Sequence, residues 1–142
     1  ESLGSVVESR ARADDRVETV LRFVSAEVVQ LYMNAADVVV LPYDSILTSG
    51  SAVLAMSFGR PVIAPDVGCV GELLDGGGGI SYDPDDPDGL SAAIRTALEA
   101  DLRSMSERSR RIATELDSAD IGGQTLTVYR GDSSSTGQCT ER

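Results

Sequence analysis

The chain has 142 residues, of which 42% are hydrophobic and 25% charged, and these proportions are typical of one globular domain and exclude a disordered chain. Its net charge of −11 argues against binding to nucleic acid or to an anionic membrane surface. Since the sequence also lacks an apolar run of about 18 residues, we expect a soluble, cytoplasmic protein.

The charged residues have an unusual composition. All twelve basic residues are arginine, lysine and histidine are absent, and acidic residues number 23. Dense surface carboxylates keep proteins soluble at high salt, so this composition suggests a salt-adapted or high-GC source. The two cysteines, Cys69 and Cys139, are too few for a disulfide framework and too isolated for a zinc site, and we expect both to be free thiols.

The first half of the chain alternates apolar runs with a helical pattern. The run Val17–Val24 predicts a strand, and a helix should follow from Ser25 as its N-cap, with one apolar face made by Val28, Leu31, Tyr32 and Ala35. The next run, Asp37–Tyr43, predicts a strand that is buried on both faces, because Val38 to Leu41 are all apolar.

The middle of the chain continues the same alternation. A polar loop at 44–48 is followed by a helix at Ser49–Phe58, which Gly59 can end. The remaining elements predicted here are a strand at Pro61–Pro65, a short helix at Val70–Leu74, a glycine turn at 76–79 and a strand at Ile80–Asp83.

Two helices and a polar tail are predicted after these strands. Asp86 and Pro87 are suited to begin a helix with Leu90, Ile94, Ala97 and Leu98 on one face. A further helix carries one stripe made by Leu102, Met105, Ser109, Ile112 and Leu116. We assign a last helix to Ile121–Tyr129 and disorder to residues 131–142, which lack apolar periodicity.

The predicted fold is α/β, a Rossmann-like parallel sheet with flanking helices. In such sheets ligands lie beyond the carboxyl ends of the strands. There, Ser49, Gly50 and Ser51 begin a helix whose free N–H groups and dipole favour an anion such as a pyrophosphate. The same residues are also good helix caps, and the residues alone favour neither interpretation.

A family resemblance favours the anion site. The segment AMSFGRPVIAP at 55–65, which follows a strand ending in Pro-Tyr, resembles the donor-binding domain of retaining GT-B glycosyltransferases. The segment ILTSGS at 46–51 is similar to a variant seen in group 1 glycosyltransferases. The resemblance covers about 17–130 and implies that the intact enzyme transfers a sugar from a nucleotide-sugar donor to an acceptor hydroxyl, on a sugar or a lipid-linked glycan.

The resemblance also implies site residues. The loop after the strand and the start of the next helix would contact the donor sugar and the diphosphate, through Asp44, Ile46, Leu47, Thr48, Ser49, Gly50 and Ser51. Phe23 and Val24 would meet the nucleotide base, and Tyr43 could line the pocket. Asp37, Asp66 and Glu72 are better explained as turn or cap carboxylates than as metal ligands, so no metal or other cofactor is expected, and Arg60 should lie at the opposite sheet end.

One departure from the family pattern concerns two positions that are eight residues apart. Many members have glutamates there, one for the sugar and one for the ribose, whereas this chain has Ile46 and Leu54. Neither side chain accepts a hydrogen bond, so backbone groups, water or other side chains must bind these hydroxyls.

The resemblance finally implies that residues 1–130 are a partial domain. The first two strands of the GT-B C-terminal domain and the whole N-terminal GT-B domain would be missing, so the chain alone should be inactive. Two alternatives remain at this stage: a noncatalytic nucleotide-binding or interaction module, and a GT-B sugar-nucleotide epimerase, for which the chain lacks the usual histidine.

Overall fold

A computed structural model describes residues 3–43 and 50–116. These residues form two compact units, which meet in the sequence between Leu31 and Tyr32. The elements are α1 (Leu3–Ala13), α2 (Ala26–Ala35), β1 (Val39–Val40), α3 (Gly50–Ser57), β2 (Val62–Pro65), α4 (Val70–Asp75), β3 (Gly79–Tyr82), α5 (Gly89–Glu99) and α6 (Leu102–Glu115).

The first unit contains α1 and the beginning of α2. An exposed ion pair joins Arg16 to Asp14 at 2.7 Å after the end of α1. The strand predicted for Val17–Val24 is wrong, since these residues form neither strand nor helix within the described part of the chain. A strand requires hydrogen bonds to a neighbour, and in the described residues no other strand pairs with this segment. Phe23 is 93% exposed as a result.

The helix predicted after Ser25 is confirmed as α2. The Ser25 carbonyl accepts the first helical hydrogen bonds, from the N–H groups of Val28 and Val29. Its predicted apolar face is not buried, however, because none of the ten described residues of α2 is buried. Leu31 is 65% exposed and Tyr32 is 49% exposed.

The described part of the second unit contains a parallel sheet of three strands in the order β1-β2-β3. All four residues of the central strand β2 are buried. The prediction that the run Asp37–Tyr43 is buried on both faces is wrong, because β1 is a two-residue edge strand and Val40 is 39% exposed. Among the described residues, β1 has a neighbouring strand on one side only.

Helices cover both faces of this sheet. Successive side chains of a strand point to opposite faces, and Val62 and Ala64 of β2 pack in one cluster with buried residues of α3 and α4, while Ile63 packs with Ala93 and Ala97 of α5 on the other face. This arrangement confirms the predicted α/β fold with flanking helices.

The predicted apolar face of α5 is confirmed in part, because Ala97 is buried and Leu90 packs against the same cluster. Gly89, Ala93 and Ala97 are buried, whereas Ile94 is 39% exposed and Leu98 is 80% exposed. Small side chains allow the helix to lie close to the sheet. The helix also begins two residues later than predicted, with Asp88 as its N-cap.

The helix α6 is bonded to backbone carbonyls that precede two strands. Ser106 Oγ donates to the Gly59 carbonyl at 2.5 Å, and Ser109 Oγ donates to the Gly78 carbonyl at 2.6 Å. Arg108 Nε donates to the Gly77 carbonyl at 3.0 Å. Met105 and Ser109 of the predicted stripe are buried, as expected.

Three expectations concern the cysteines, the last helix and membrane insertion. Cys69 is disulfide-bonded, so the expectation of a free thiol there is wrong. Cys139 and the segments predicted as a last helix (Ile121–Tyr129) and a disordered tail (131–142) lie outside the described residues. Among residues 3–43 and 50–116, no helix is long and apolar enough to cross a membrane.

Candidate functional site

The candidate site lies at the carboxyl edge of the sheet. All three strands are parallel, so their carboxyl ends meet at this edge. The chain leaves β1 toward Tyr43 and α3, and it leaves β2 toward α4. The N-termini of two helices therefore follow two neighbouring strand ends.

The first wall of the site is the beginning of α3. Gly50 is its first residue, and Gly50 and Ser51 are both exposed. A Cβ atom added at Gly50 would meet no atom of residues 3–43 and 50–116 within 4 Å. The first turn of a helix has N–H groups without acceptors inside the helix, so the open space here suits a ligand with anionic oxygens.

The approach to α3 is only partly described. Tyr43 is half-buried, and its N–H donates to the Leu41 carbonyl at 2.9 Å in a tight turn directly after β1. The predicted site residues Asp44, Ile46, Leu47, Thr48 and Ser49 lie outside the described residues. Their assignment to the donor stays a prediction.

The second wall is the turn between β2 and α4. The Asp66 N–H donates to the Tyr82 carbonyl at 2.8 Å, which joins this turn to the end of β3. Gly68 has a φ of 56°, a left-handed conformation that favours glycine. The Asp66 carboxylate lies directly against Gly71 in the first turn of α4, where a side chain at position 71 would collide with it.

The placement of Asp66 agrees with a cap or turn carboxylate. It is exposed, and it lies where the dipole of α4 favours negative charge. In residues 3–43 and 50–116, no group of three or more histidine, cysteine, aspartate or glutamate side chains could hold a metal ion.

A groove of about 690 Å³ begins beside Gly50 and continues between α3, α4 and the last turn of α6. Its walls include Val53, Leu73 and Ile112, which are half-buried apolar residues. Sequence periodicity did not predict this groove, because it is formed by three helices whose contacts are not local in sequence.

Three other residues were singled out in the sequence. Phe23 and Val24 belong to the first unit, where Phe23 is exposed and Val24 is half-buried, and their proposed contact with a base stays a prediction. Arg60 precedes β2, at the opposite end of the strands from the site. Its Nη2 donates to the Asn34 carbonyl near the end of α2 at 3.1 Å, which joins the start of β2 to that helix.

Comparison with known protein families shows which family the chain belongs to. The family described as "Glycosyl transferases group 1" matches residues 3–100. The chain belongs to the group 1 glycosyltransferases. This membership favours a glycosyltransferase over the noncatalytic module considered above.

Individual relatives of this glycosyltransferase chain agree with the family. A GDP-mannose:glycolipid 4-beta-D-mannosyltransferase of Xanthomonas campestris pv. campestris is 38% identical over 61 residues, which are 43% of this chain and 18% of that protein. The structure of a sucrose-phosphate synthase from Thermosynechococcus elongatus matches with a TM-score of 0.74 and 27% identity, over 89% of this chain and 33% of that one. The chain thus spans a third or less of these relatives.

Proposed function

We propose that the intact protein transfers a sugar from a nucleotide-sugar donor to a hydroxyl of an acceptor sugar or a lipid-linked glycan. This chain supplies the C-terminal portion of its donor-binding domain. The observation that carries the proposal is the family match over residues 3–100. This range includes the parallel sheet, the open N-terminus of α3 and the turn before α4.

The contribution of this chain to the reaction is mainly electrostatic. When the sugar is transferred, the bond between the sugar and the diphosphate breaks, and negative charge develops on the leaving diphosphate. The N–H groups and the dipole of α3 are fixed by the fold before the donor arrives, so they stabilise that charge without reorganisation. We assign the hydroxyl groups of Thr48, Ser49 and Ser51 as further donors to the diphosphate.

The donor hydroxyls must be bound without the two glutamates that are common in the family. Leu54 is 40% exposed on α3 and cannot accept a hydrogen bond. We therefore assign the ribose and sugar hydroxyls to backbone groups, water, or side chains of the rest of the donor-binding domain and of the N-terminal GT-B domain. For the same reason the chain alone is inactive.

GDP-mannose is the first donor to test, because a relative with 38% identity over 61 residues is named for it. Replacing Thr48, Ser49 and Ser51 by alanine in the intact protein should weaken donor binding about 10- to 100-fold, which corresponds to hydrogen bonds to a charged group. Isothermal titration calorimetry with a panel of nucleoside diphosphates and GDP-mannose measures this change.

The matched control is Ser57→Ala at the other end of α3. The Ser57 hydroxyl donates to the Leu54 carbonyl at 2.7 Å and lies far from the strand ends. This variant should bind the donor as the unmodified protein does. Equal affinities for the triple variant and the control would disprove the placement of the diphosphate at α3, and an intact protein that binds nucleotide without sugar transfer would disprove the activity.

A further inference from the structure

Asp66 is the acidic residue that directly follows the central strand β2 at the carboxyl edge of the sheet. It is exposed, and within residues 3–43 and 50–116 no hydrogen bond or ion pair engages its carboxylate. The dipole of α4 stabilises its charge, but the N-cap residue of that helix is Cys69 and not Asp66. The carboxylate is therefore available to a ligand that binds at this edge.

The backbone of Asp66 is fixed between the ends of β1 and β3. Its N–H donates to the Tyr82 carbonyl at 2.8 Å, which ties it to the last residue of β3. On the other side, Val40 of β1 lies beside Ile63 of β2, and Tyr43 and Asp66 each come three residues after this pair. Asp66 therefore lies next to the point where the chain leaves β1 toward α3.

Position 71 determines where the carboxylate lies. Gly71 is buried in the first turn of α4, and a Cβ atom added there would collide with Oδ1 of Asp66. The absence of a side chain at this position leaves the space that the carboxylate fills. A larger residue would push the carboxylate aside while keeping its charge in the protein.

The charge of Asp66 selects the part of a nucleotide-sugar donor that can lie beside it. A carboxylate accepts hydrogen bonds through two oxygens and donates none, and it repels an anion. Since the diphosphate is assigned to the first turn of α3, the group that lies over the end of β2 must be neutral and must carry hydroxyl donors. Two neighbouring hydroxyls of a hexose meet both requirements.

We propose that Asp66 accepts hydrogen bonds from two neighbouring hydroxyls of the transferred sugar and thereby helps to select it. The inference rests on the proposed function, because it assigns one contact within the same donor site. It also supplies an acceptor that the two glutamate positions of the family lack in this chain, where Ile46 and Leu54 have apolar side chains. The remaining donor hydroxyls still need the acceptors assigned above.

The first experiment compares nucleotide hexoses with free nucleotides in the intact protein. Calorimetry measures the affinities for GDP-mannose, UDP-glucose and UDP-galactose, each beside free GDP or UDP. Asp66→Ala should weaken binding of the preferred nucleotide hexose about 10- to 100-fold, as expected for hydrogen bonds to a charged group, and should not weaken binding of the free nucleotide. Asp75→Ala is the matched control, because it removes an exposed carboxylate at the other end of α4, and it should change neither affinity.

Deoxy sugars separate a contact with the sugar from a structural role of Asp66. The probes are forms of the preferred donor in which one hexose hydroxyl, at C2, C3, C4 or C6, is replaced by hydrogen. The unmodified protein should bind two forms that lack neighbouring hydroxyls more weakly than the complete donor, because a buried or oriented acceptor loses its partner. Asp66→Ala should bind these two forms and the complete donor equally well, whereas a structural role would weaken all forms alike.

Gly71→Ala tests the same contact without removing the carboxylate. It should weaken binding of the nucleotide hexose when Asp66 is present and should have no further effect in the Asp66→Ala background, since both changes act on one contact. Circular dichroism melts check that all variants are folded.

Three outcomes decide the matter. Equal losses for the nucleotide hexose and the free nucleotide in Asp66→Ala would place the residue at the diphosphate or the ribose and overturn the inference. Unchanged donor binding and sugar transfer in Asp66→Ala, with normal transfer by the unmodified protein, would overturn this inference alone. An intact protein that transfers sugar from no nucleotide sugar would overturn the proposed function and the inference with it.

Discussion

At the scale of single residues, Asp101 gives the clearest prediction. It is the N-cap of α6, and its carboxylate accepts hydrogen bonds from Ser104 Oγ at 2.6 Å and from Ser104 N–H at 3.2 Å. These two bonds, the hydroxyl bond first, lower the pKa of Asp101 below its ordinary value of 3.8. A lowered folded-state pKa stabilises the protein above the unfolded-state pKa, and the stabilisation is lost as the pH falls through the folded-state pKa.

Asp101→Asn keeps the capping oxygen but removes the charge, so it should lower the urea midpoint at pH 7 and have progressively less effect as the pH falls below 3.8. Asp88→Asn is the matched control, because Asp88 is the N-cap residue of α5 but its side chain makes no capping hydrogen bond. A pH-independent difference for Asp101→Asn, or the same pH dependence for Asp88→Asn, would contradict this explanation.

Single residues also show what the sequence alone cannot predict. Ser109 was placed correctly on the buried stripe of α6 by its spacing. Its hydrogen bond to the Gly78 carbonyl spans 31 residues, so no local pattern indicates it. Tyr43, Gly50 and Ser51 lie at the predicted end of the strands, because the order of strand, loop and helix is local information.

At the scale of elements, α3 ends in a Schellman motif. This motif leads to a prediction for a substitution at Gly59. The Arg60 N–H donates to the Ala55 carbonyl and the Gly59 N–H donates to the Met56 carbonyl, with Gly59 at a φ of 68°. Gly59→Ala should lower the free energy of unfolding by about 1–2 kcal/mol, because alanine is strained in the left-handed conformation. Urea unfolding monitored by circular dichroism measures the loss.

Gly50→Ala is the control at the other end of the same helix. A Cβ atom there meets no other described residue within 4 Å, so the change should be neutral or stabilise the protein by up to about 1 kcal/mol. A Cβ atom at Gly59 would also meet the flexible side chain of Arg110. If combining Gly59→Ala with Arg110→Ala restores the stability, the collision and not the backbone strain is the cause.

The elements that the sequence predicted correctly are those with a local signal. Gly59 located the end of α3, helical spacing located α6, and short apolar runs located β2 and β3. The prediction of a strand at Val17–Val24 was wrong because strand formation depends on pairing with a neighbour that is distant in the sequence. The predicted face of α5 is right for Leu90 and Ala97 and wrong for Ile94 and Leu98, because the small residues Gly89, Ala93 and Ala97 face the sheet and leave the other two exposed.

At the scale of the whole molecule, the net charge of −11 predicts a dependence of stability on salt. Like charges repel more strongly in the compact folded state, and raising the salt from about 0.1 M to 1 M shortens the screening length from about 10 Å to 3 Å. The free energy of unfolding in urea should therefore rise with sodium chloride. Asp85→Asn with Asp86→Asn in the exposed loop before α5 should make the rise smaller, and equal stability at all salt concentrations would contradict the effect.

The three hydrogen bonds from α6 have a consequence for the time course of folding during synthesis. They join Ser106, Arg108 and Ser109 to carbonyls that lie 31 to 47 residues earlier in the chain. When β2 and β3 leave the ribosome during synthesis, α6 has not yet been made. The carbonyls that precede these two strands therefore still lack their hydrogen-bond donors. Completion of this unit must wait for the C-terminal part of the chain, and until then the apolar side of α3 that faces α6 is available to chaperones.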